Sequence, residues 1–271
     1  ARVAIDSKIV AIVNITEDSF SDGGRFLDPE AAITHARSLA ADGAAWIELG
    51  PASSNPDAGL VSAEEQIRRL TPVVLALQEG PLPLSVDATN PEVLAWAIDA
   101  NVGMLNDIRG FPEPATQERA AGCEAKLVVV HSLLAEERAT RDAATPEQVL
   151  SSIDRFFDQR LGALVRAGVR EDRLIVDPGM GFFLGSDPQS SVEVLRRIPA
   201  LRERFGCPVF ISVSRKSFLR AITGKPVESI GAATLAAELF AAQAGADYLR
   251  THDVGSLRDG LKISRSLNTE R

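Results

Sequence analysis

The amino-acid sequence predicts a (β/α)8 barrel, a fold in which eight parallel strands alternate with helices. Three observations lead to this prediction: eight short apolar runs, helix signals between them, and polar residues where the runs end. The runs are continuous rather than alternating, which is typical of parallel strands buried on both faces. We expect a single domain over residues 1–271, an ordinary length for such a barrel.

The apolar runs follow one another with room for a helix between them. In chain order they are Ile9–Val13, Trp46–Leu49, Leu82–Val86, Val102–Leu105, Leu127–Val130, Leu174–Val176, Val209–Val213 and Tyr248–Leu249. A doubly wound open sheet is the alternative, but it usually has fewer strands and often a GxGxxG sequence after the first. Here the first run continues into NITEDSFSDGG, residues 14–24.

Helix start signals recur between the runs. A capping side chain precedes a proline, which is favoured at the first helical position, at Asp28-Pro29, Asn90-Pro91, Thr145-Pro146 and Asp187-Pro188. Ser62 with Glu65 and Thr145 with Gln148 have the spacing of capping boxes. The helices therefore begin where a barrel topology requires them.

Composition excludes several classes of function. The formal net charge of -8 does not suit a nucleic-acid or anionic-membrane partner. No apolar run approaches the roughly 18 residues of a membrane helix, and no signal peptide is visible. Cys123 and Cys207 form no CxxC motif, which fits a cytoplasmic protein with reduced thiols.

Hydrogen-bonding groups follow nearly every apolar run. Each alone is explained by the polarity of strand ends in general, but the set is chemically mixed: Asn14, Glu48, Asp87, Asn106, Asp107, His131, Asp177, Ser214, Arg215, Lys216, Arg250 and His252. Active sites of barrels lie at these strand ends. Asp177 is followed by a glycine-rich loop that lets backbone approach a ligand closely.

Three of these side chains match the edge of a guanidine-like heterocycle. Asp87 and Asp177 can accept its paired N–H donors, and Asn106 offers both an acceptor and donors. Lys216 would donate to a ring carbonyl oxygen or imine nitrogen. For Asp107 and His131 we expect structural roles instead.

A second group of residues matches an anion. The segment Ser214-Arg215-Lys216-Ser217 ends the seventh run and leads into a predicted helix, while Arg250 and His252 follow the eighth. Loops after the seventh and eighth strands of barrels often hold phosphate. Asn14 together with a substrate diphosphate could hold Mg²⁺, which commonly uses few protein ligands.

Seven stretches, in this order, resemble the dihydropteroate synthase family. They are IVNITEDSFSDGG (12–24), WIELGPASSNPDA (46–58), LSVDATNPEV (84–93), LNDIRGF (105–111), LIVDPGMGF (174–182), SVSRKSF (212–218) and RTHD (250–253). The resemblance implies a barrel that condenses a dihydropterin-methyl diphosphate with 4-aminobenzoate. It also implies a dissociative reaction, a magnesium requirement and a homodimer.

The resemblance assigns roles to residues by position. It implies that Asp87, Asn106, Asp177 and Lys216 bind the pterin. It implies that Asn14, Arg250 and His252 bind diphosphate, with Asn14 also a metal ligand, and that Lys216, Asp87 and Asn14 are the catalytic residues. The expected aminobenzoate pocket consists of Phe182, Phe183, Ser214, Arg215 and Ser217.

Two stretches depart from the usual family pattern. Asn55 stands where the family carries an arginine thought to contact diphosphate, so that role is in doubt here. Phe183-Leu184-Gly185 follows Phe182 where the family usually carries a Gly-Lys pair, and the loop is about two residues longer before the next helix. Both departures resemble the sulfonamide-insensitive, often mobile-element-borne branch. We hypothesise that the added phenylalanine reshapes the aminobenzoate pocket against bulkier sulfonamides.

Two other functions are compatible with parts of this pattern. A methyltetrahydrofolate-dependent methyltransferase barrel would share Asp87, Asn106 and Asp177 but would not need the two anion-binding segments. A catalytically silent pterin-binding protein would not need to keep Lys216, Asn14 and Arg250 together. Fold alone does not decide among them.

Overall fold

The computed structural model describes residues 6–16, 28–52, 59–134 and 144–268. Its strands are β1 Lys8–Asn14, β2 Trp46–Gly50, β3 Leu84–Asp87, β4 Met104–Asp107, β5 Lys126–Val130, β6 Leu174–Asp177, β7 Phe210–Ile211 and β8 Tyr248–Thr251. Each overlaps a predicted apolar run. The polar residues Asn14, Asp87 and Asp177 are the last residues of their strands, which is where the sequence predicted ligand-binding groups.

The helices lie between these strands. They are α1 Pro29–Ala41, α2 Ala63–Leu77, α3 Pro91–Asp99, α4 Pro114–Ala121, α5 Pro146–Arg166, α6 Pro188–Arg196, α7 Ile198–Phe205, α8 Ser217–Thr223, α9 Gly231–Ala244 and α10 Val254–Asn268. A short 3-10 turn, Gly181–Leu184, follows β6. The predicted start signals are confirmed, because the side chains of Asp28, Asn90 and Asp187 each accept a hydrogen bond from a first-turn amide.

All eight strands belong to one sheet in the order β6-β5-β4-β3-β2-β1-β8-β7. The pairs β1–β2, β2–β3, β3–β4, β4–β5 and β7–β8 are parallel. Neighbours in the sheet are thus neighbours in sequence, with β1 beside β8, which is the strand order of a (β/α)8 barrel. The predicted fold class is confirmed.

Strand β7 is shorter than the predicted run Val209–Val213. Val209 pairs with Val176 as an isolated bridge before the strand begins. After it, the Lys216 amide donates to the Val213 carbonyl oxygen at 3.1 Å, so the chain turns there instead of extending. Ser214 and Lys216 therefore lie in the turn beyond the end of β7.

The described chain divides into two compact units. The N-terminal unit comprises Val10–Val129 and Arg160–Leu174. The C-terminal unit comprises the described parts of Ala1–Ile9, Val130–Gln159 and Ile175–Arg271. In both units most residues inside the strands are buried and apolar, and each fully buried large apolar side chain stabilises the fold by roughly 1.5–3 kcal/mol relative to exposure.

Cys123 and Cys207 are free thiols, as predicted. Among the described residues, no helix has the length and apolar character that crossing a membrane requires.

Candidate active site

In the N-terminal unit, β1 and β2 end side by side. Asn14 is the register partner of Gly50, and a Cβ atom added to Gly50 would lie 3.1 Å from Asn14 Oδ1. The lack of a side chain at position 50 therefore keeps space around the Asn14 amide. Asn14 is half-buried at the end of its strand, which leaves its oxygen, a hard ligand atom, at the edge of the sheet.

Asp87 and Asn106 also end neighbouring strands, as the sequence predicted. They are register partners across β3 and β4. Asn106 is only 2% exposed, and its Nδ2 donates to Glu48 Oε2 at 3.0 Å. The Ser85 hydroxyl donates to the same carboxylate oxygen at 3.1 Å. Glu48 is itself completely buried, so it supports Asn106 and is not a solvent-facing ligand.

Asp107 has the structural role that the sequence predicted. Its carboxylate accepts hydrogen bonds from the backbone amides of Arg109 at 2.9 Å and Phe111 at 2.8 Å. Burial raises the pKa of Asp107 to about 7, although these two amides act in the opposite direction. Asp107 therefore shapes the turn after β4.

In the C-terminal unit, Asp177 is the last residue of β6, and His131 directly follows β5. The His131 amide donates to the Asp177 carbonyl oxygen at 2.8 Å, and Asp177 Oδ1 accepts from the Gly179 amide at 2.8 Å. Asp177 thus forms the turn into the glycine-rich loop. His131 is packed, with its ring nitrogens 3.1 Å from the Pro178 carbonyl oxygen and the Ser152 hydroxyl. Burial lowers the pKa of His131 to about 4.

The loop after Asp177 requires its glycines. Gly179 and Gly181 have φ of 80° and 64°, a conformation that favours glycine. A Cβ atom at Gly179 would lie 2.5 Å from the His131 carbonyl oxygen, and one at Gly181 would lie 2.9 Å from Ser217 Oγ. The loop therefore packs closely on the segment that carries Lys216 and Ser217.

The two phenylalanines of this loop have different environments. Phe182 is 59% exposed. Phe183 is half-buried, its ring centroid lies 4.6 Å from Lys216 Nζ, and its carbonyl oxygen accepts a hydrogen bond from the Leu133 amide at 2.8 Å. A cation over an aromatic face is an attractive arrangement. Phe183 therefore contacts a residue expected to bind pterin.

Strands β7 and β8 bring the predicted anion-binding residues together. Arg250 Nε donates to Ser212 Oγ at 3.0 Å, and His252 Nδ1 lies 2.8 Å from Ser214 Oγ. The sequence reasoning missed Ser212. Its signal is the spacing of two residues from Ser214, which matches the spacing of Arg250 and His252 and places each serine beside one of them.

The segment between Ser214 and Ser217 leads directly into helix α8. This helix has seven residues, and no side chain caps its first turn. Arg215 has a φ of 59°, an unfavourable backbone conformation for a residue with a side chain. The role of this segment in anion binding stays a prediction.

Asn55 lies outside the described residues, as does most of the first loop. Among the described residues, no group of three or more His, Cys, Asp or Glu side chains could hold a metal ion. The half-buried Asn14 amide is compatible with Mg²⁺, because this ion often takes one or two protein ligands and completes its shell with phosphate oxygens and water.

Comparison with known proteins gives consistent results along the whole chain. Residues 10–252 match the family model described as pterin binding enzyme. The chain is 53% identical to dihydropteroate synthase type-3 of Escherichia coli, covering 96% of this chain and 99% of that protein. It is also 53% identical to dihydropteroate synthase type-2 of Escherichia coli, covering 96% and 95%.

A solved structure extends the similarity to the fold. Dihydropteroate synthase of Xanthomonas albilineans with 4-aminobenzoic acid is 36% identical and matches with a TM-score of 0.87. The match covers 98% of this chain and 95% of that one. Sequence and structure comparisons therefore agree over the same residues.

Proposed function

The chain belongs to the dihydropteroate synthases, transferases among the pterin binding enzymes, and on this premise we propose how its residues carry out that reaction. The observation on which the proposal depends is the 53% identity over 96% of the chain. The reaction joins a dihydropterin-methyl diphosphate to 4-aminobenzoate, which yields 7,8-dihydropteroate and diphosphate.

Asp87, Asn106, Asp177 and Lys216 bind the pterin in this proposal. The hydrogen bond from Asn106 Nδ2 to Glu48 supports the assignment, because it fixes which way the amide points. The carboxylates would accept from the pterin amino and ring N–H groups, and Lys216 would donate to its carbonyl oxygen or an imine nitrogen. Each charge-assisted bond of this kind contributes about 1.5–3 kcal/mol.

Arg250, His252 and Asn14 bind the diphosphate. Arg250 and His252 are oriented by Ser212 and Ser214, which supports their acting as a pair. Asn14 would also hold Mg²⁺ through its amide oxygen. That ion, when bound, would neutralise charge on the departing diphosphate.

The reaction is dissociative in this proposal. Diphosphate leaves first, the pterin methylene becomes cationic, and the amine of 4-aminobenzoate attacks it. The chain then acts by orientation and charge stabilisation rather than through a covalent nucleophile. Lys216, Asp87 and Asn14 are the catalytic residues, because they would contact the pterin and the leaving group.

Phe182, Phe183, Ser214, Arg215 and Ser217 form the proposed aminobenzoate pocket. We further propose that Phe183, the phenylalanine added to the family pattern, admits 4-aminobenzoate but hinders bulkier sulfonamides. The comparison is Phe183→Ala with Ile222→Ala, which removes another apolar side chain of the same unit. Sulfonamide inhibition should strengthen at least about threefold in the first variant only, because truncation removes a steric clash. Unchanged inhibition in F183A would contradict the role.

Product formation tests the main proposal. The wild-type chain is given dihydropterin-methyl diphosphate, 4-aminobenzoate and Mg²⁺, and diphosphate and dihydropteroate are measured together. We expect equal amounts of both products. Asp177→Asn can still accept the Gly179 hydrogen bond but loses the charge, and we expect pterin affinity to fall more than about tenfold. No product from the wild-type chain would refute the proposal.

We also propose a homodimer in the cytoplasm. Phe240 on α9 and Ile263 and Leu267 on α10 are exposed. The two helices pack together, with Gln243 Nε2 donating to Ser264 Oγ at 3.2 Å, so these side chains could contribute to one subunit face. Sedimentation velocity of the wild type and of Ile263→Glu tests this: we expect a dimer that the charge weakens. A monomeric wild-type protein would contradict it.

A further inference from the structure

Two polar side chains of α9 face the ends of β7 and β8. Thr234 Oγ1 accepts a hydrogen bond from the Arg215 amide at 3.4 Å. The side chains of Glu238 and Thr251, both buried, are joined by a hydrogen bond. Residues four apart share one face of a helix, so a single helix contacts both anion-binding strand ends from the same side. Thr234 and Glu238 are both buried.

Thr251 connects Glu238 to the proposed diphosphate pair. It lies between Arg250 and His252, and successive side chains of a strand point to opposite faces. Arg250 and His252 contact Ser212 and Ser214, as described above, whereas Thr251 is fully buried and contacts Glu238 on α9. The Thr251 hydroxyl oxygen also accepts from the Asp253 amide at 3.2 Å, which fixes the turn after His252.

Burying the carboxyl group of Glu238 at this position costs folding free energy. It is 2% exposed, and its Oε1 has no hydrogen-bond partner among the described residues. Burial, reinforced by the negative charge of Asp253, raises the pKa of Glu238 to about 8, although the Thr251 hydrogen bond acts in the opposite direction. An apolar side chain would fill a purely structural position more favourably. The contact with Thr251 is what the carboxyl group adds.

Thr234 supports a strained segment in a comparable way. Arg215 has a φ of 59°, a backbone conformation that is unfavourable for a residue with a side chain. Its amide is the group that Thr234 accepts from. This hydrogen bond therefore holds the turn that places Ser214 and Lys216.

We propose that Glu238 and Thr234 are positioning residues, through which α9 orients Arg250 and His252 toward diphosphate and the Ser214–Ser217 segment toward 4-aminobenzoate. This inference depends on the function proposed above. Neither residue contacts a substrate; each acts through the backbone of the residues that do. The two contacts should therefore affect different substrates.

Steady-state kinetics with each substrate varied separately tests the proposal. Glu238→Leu removes the acceptor, and the KM for the pterin diphosphate should rise at least about fivefold while that for 4-aminobenzoate changes less than about twofold. Glu238→Gln keeps an acceptor and should restore the wild-type value. Thr234→Val should instead raise the KM for 4-aminobenzoate at least about threefold, with Thr234→Ser as its rescue.

The control is Gln243→Leu, which removes a polar contact of the same helix away from the strand ends. Its two KM values should stay within about twofold of wild type. If Glu238→Leu does not fold, Thr251→Val removes the donor instead and should raise the same pterin KM. Equal changes in both KM values, or a Glu238→Gln variant as impaired as the leucine variant, would overturn the inference.

The result is separable from the main proposal. A wild-type chain without product would refute the enzyme function itself. An active wild type whose Glu238, Thr251 and Thr234 variants keep both KM values would refute only the positioning roles.

Discussion

Asn106 and Glu48 form a buried pair in which the amide nitrogen of Asn106 donates to Glu48 Oε2 at 3.0 Å. Because the nitrogen is held by the carboxylate, the amide oxygen of Asn106 must point elsewhere. An amide that could flip would offer a ligand either a donor or an acceptor. Glu48 thus determines what Asn106 can present at the end of β4.

We predict that Glu48→Gln weakens pterin binding by about three- to tenfold, because a neutral acceptor holds the Asn106 amide less firmly than a carboxylate. Isothermal titration with the pterin substrate alone gives the affinity. Ser85→Ala is the matched control, since it removes the other donor to the same oxygen and leaves Asn106 paired. Loss of pterin binding in S85A, together with unchanged pterin binding in E48Q, would contradict this prediction.

The contact between Lys216 and Phe183 yields a second prediction. Phe183→Leu keeps an apolar side chain but removes the aromatic face 4.6 Å from Lys216 Nζ. We expect the KM for the pterin diphosphate to rise about three- to tenfold, since such contacts contribute roughly 0.5–2 kcal/mol. Phe182→Ala serves as the comparison. If F183L changes only the KM for 4-aminobenzoate, Phe183 belongs to that pocket alone.

Gly181 permits a third prediction with an internal control. Gly181 and Gly206 have the same φ of 64°, but only at Gly181 would a Cβ atom meet other atoms, at 2.9 Å from Ser217 Oγ. Gly206→Ala should cost about 1 kcal/mol of unfolding free energy from backbone strain alone. Gly181→Ala should cost more and should also lower kcat/KM. Urea unfolding measures the loss of stability in each variant, and kinetics measure kcat/KM. Equal losses of stability in G181A and G206A would contradict the steric argument.

Glu238 makes stability depend on pH. Its pKa is about 8 in the folded chain against an ordinary value of 4.5, so the folded state retains a proton that the unfolded state releases between these values. Its contribution to stability is present below pH 4.5 and is lost as the pH rises through 8. Glu238→Gln has no charge to bury and should gain stability over wild type with rising pH.

Urea unfolding at pH 5.0 and pH 8.5 measures this gain. We expect the difference between E238Q and wild type to grow by at least about 1.4 kcal/mol, the equivalent of one pKa unit. Glu203→Gln, an exposed glutamate on α7, is the matched control and should show a smaller change. A pH-independent difference for E238Q would contradict the prediction.

The sequence predicted the strand-end residues because they are local features. Asp177 and Asp87 immediately follow apolar runs, and a strand that ends there must place them at one edge of the sheet. The sequence did not predict what Glu48 does, because its partners Ser85 and Asn106 come from two other strands. Whether an acid faces solvent or a neighbouring strand depends on register, which a single run does not specify.

The sequence also did not predict the contacts that helices make with the strand ends. Glu238 is the one charged residue in α9, and that isolation is a signal that could have identified it. Its partner Thr251 could not be identified the same way, because the pairing depends on how α9 packs on β8. The predicted single domain over residues 1–271 stays a prediction, as does any role of Asn55.

The loop after β6 contacts the segment after β7 through Phe183. Phe183 contacts Lys216 through its ring and Leu133 through its carbonyl oxygen. Substitutions at positions 183 and 216 should therefore show epistasis, with combined effects that differ from their sum. In evolutionary terms we expect the loop and position 216 to change together, because the ring of Phe183 forms part of the surroundings of Lys216.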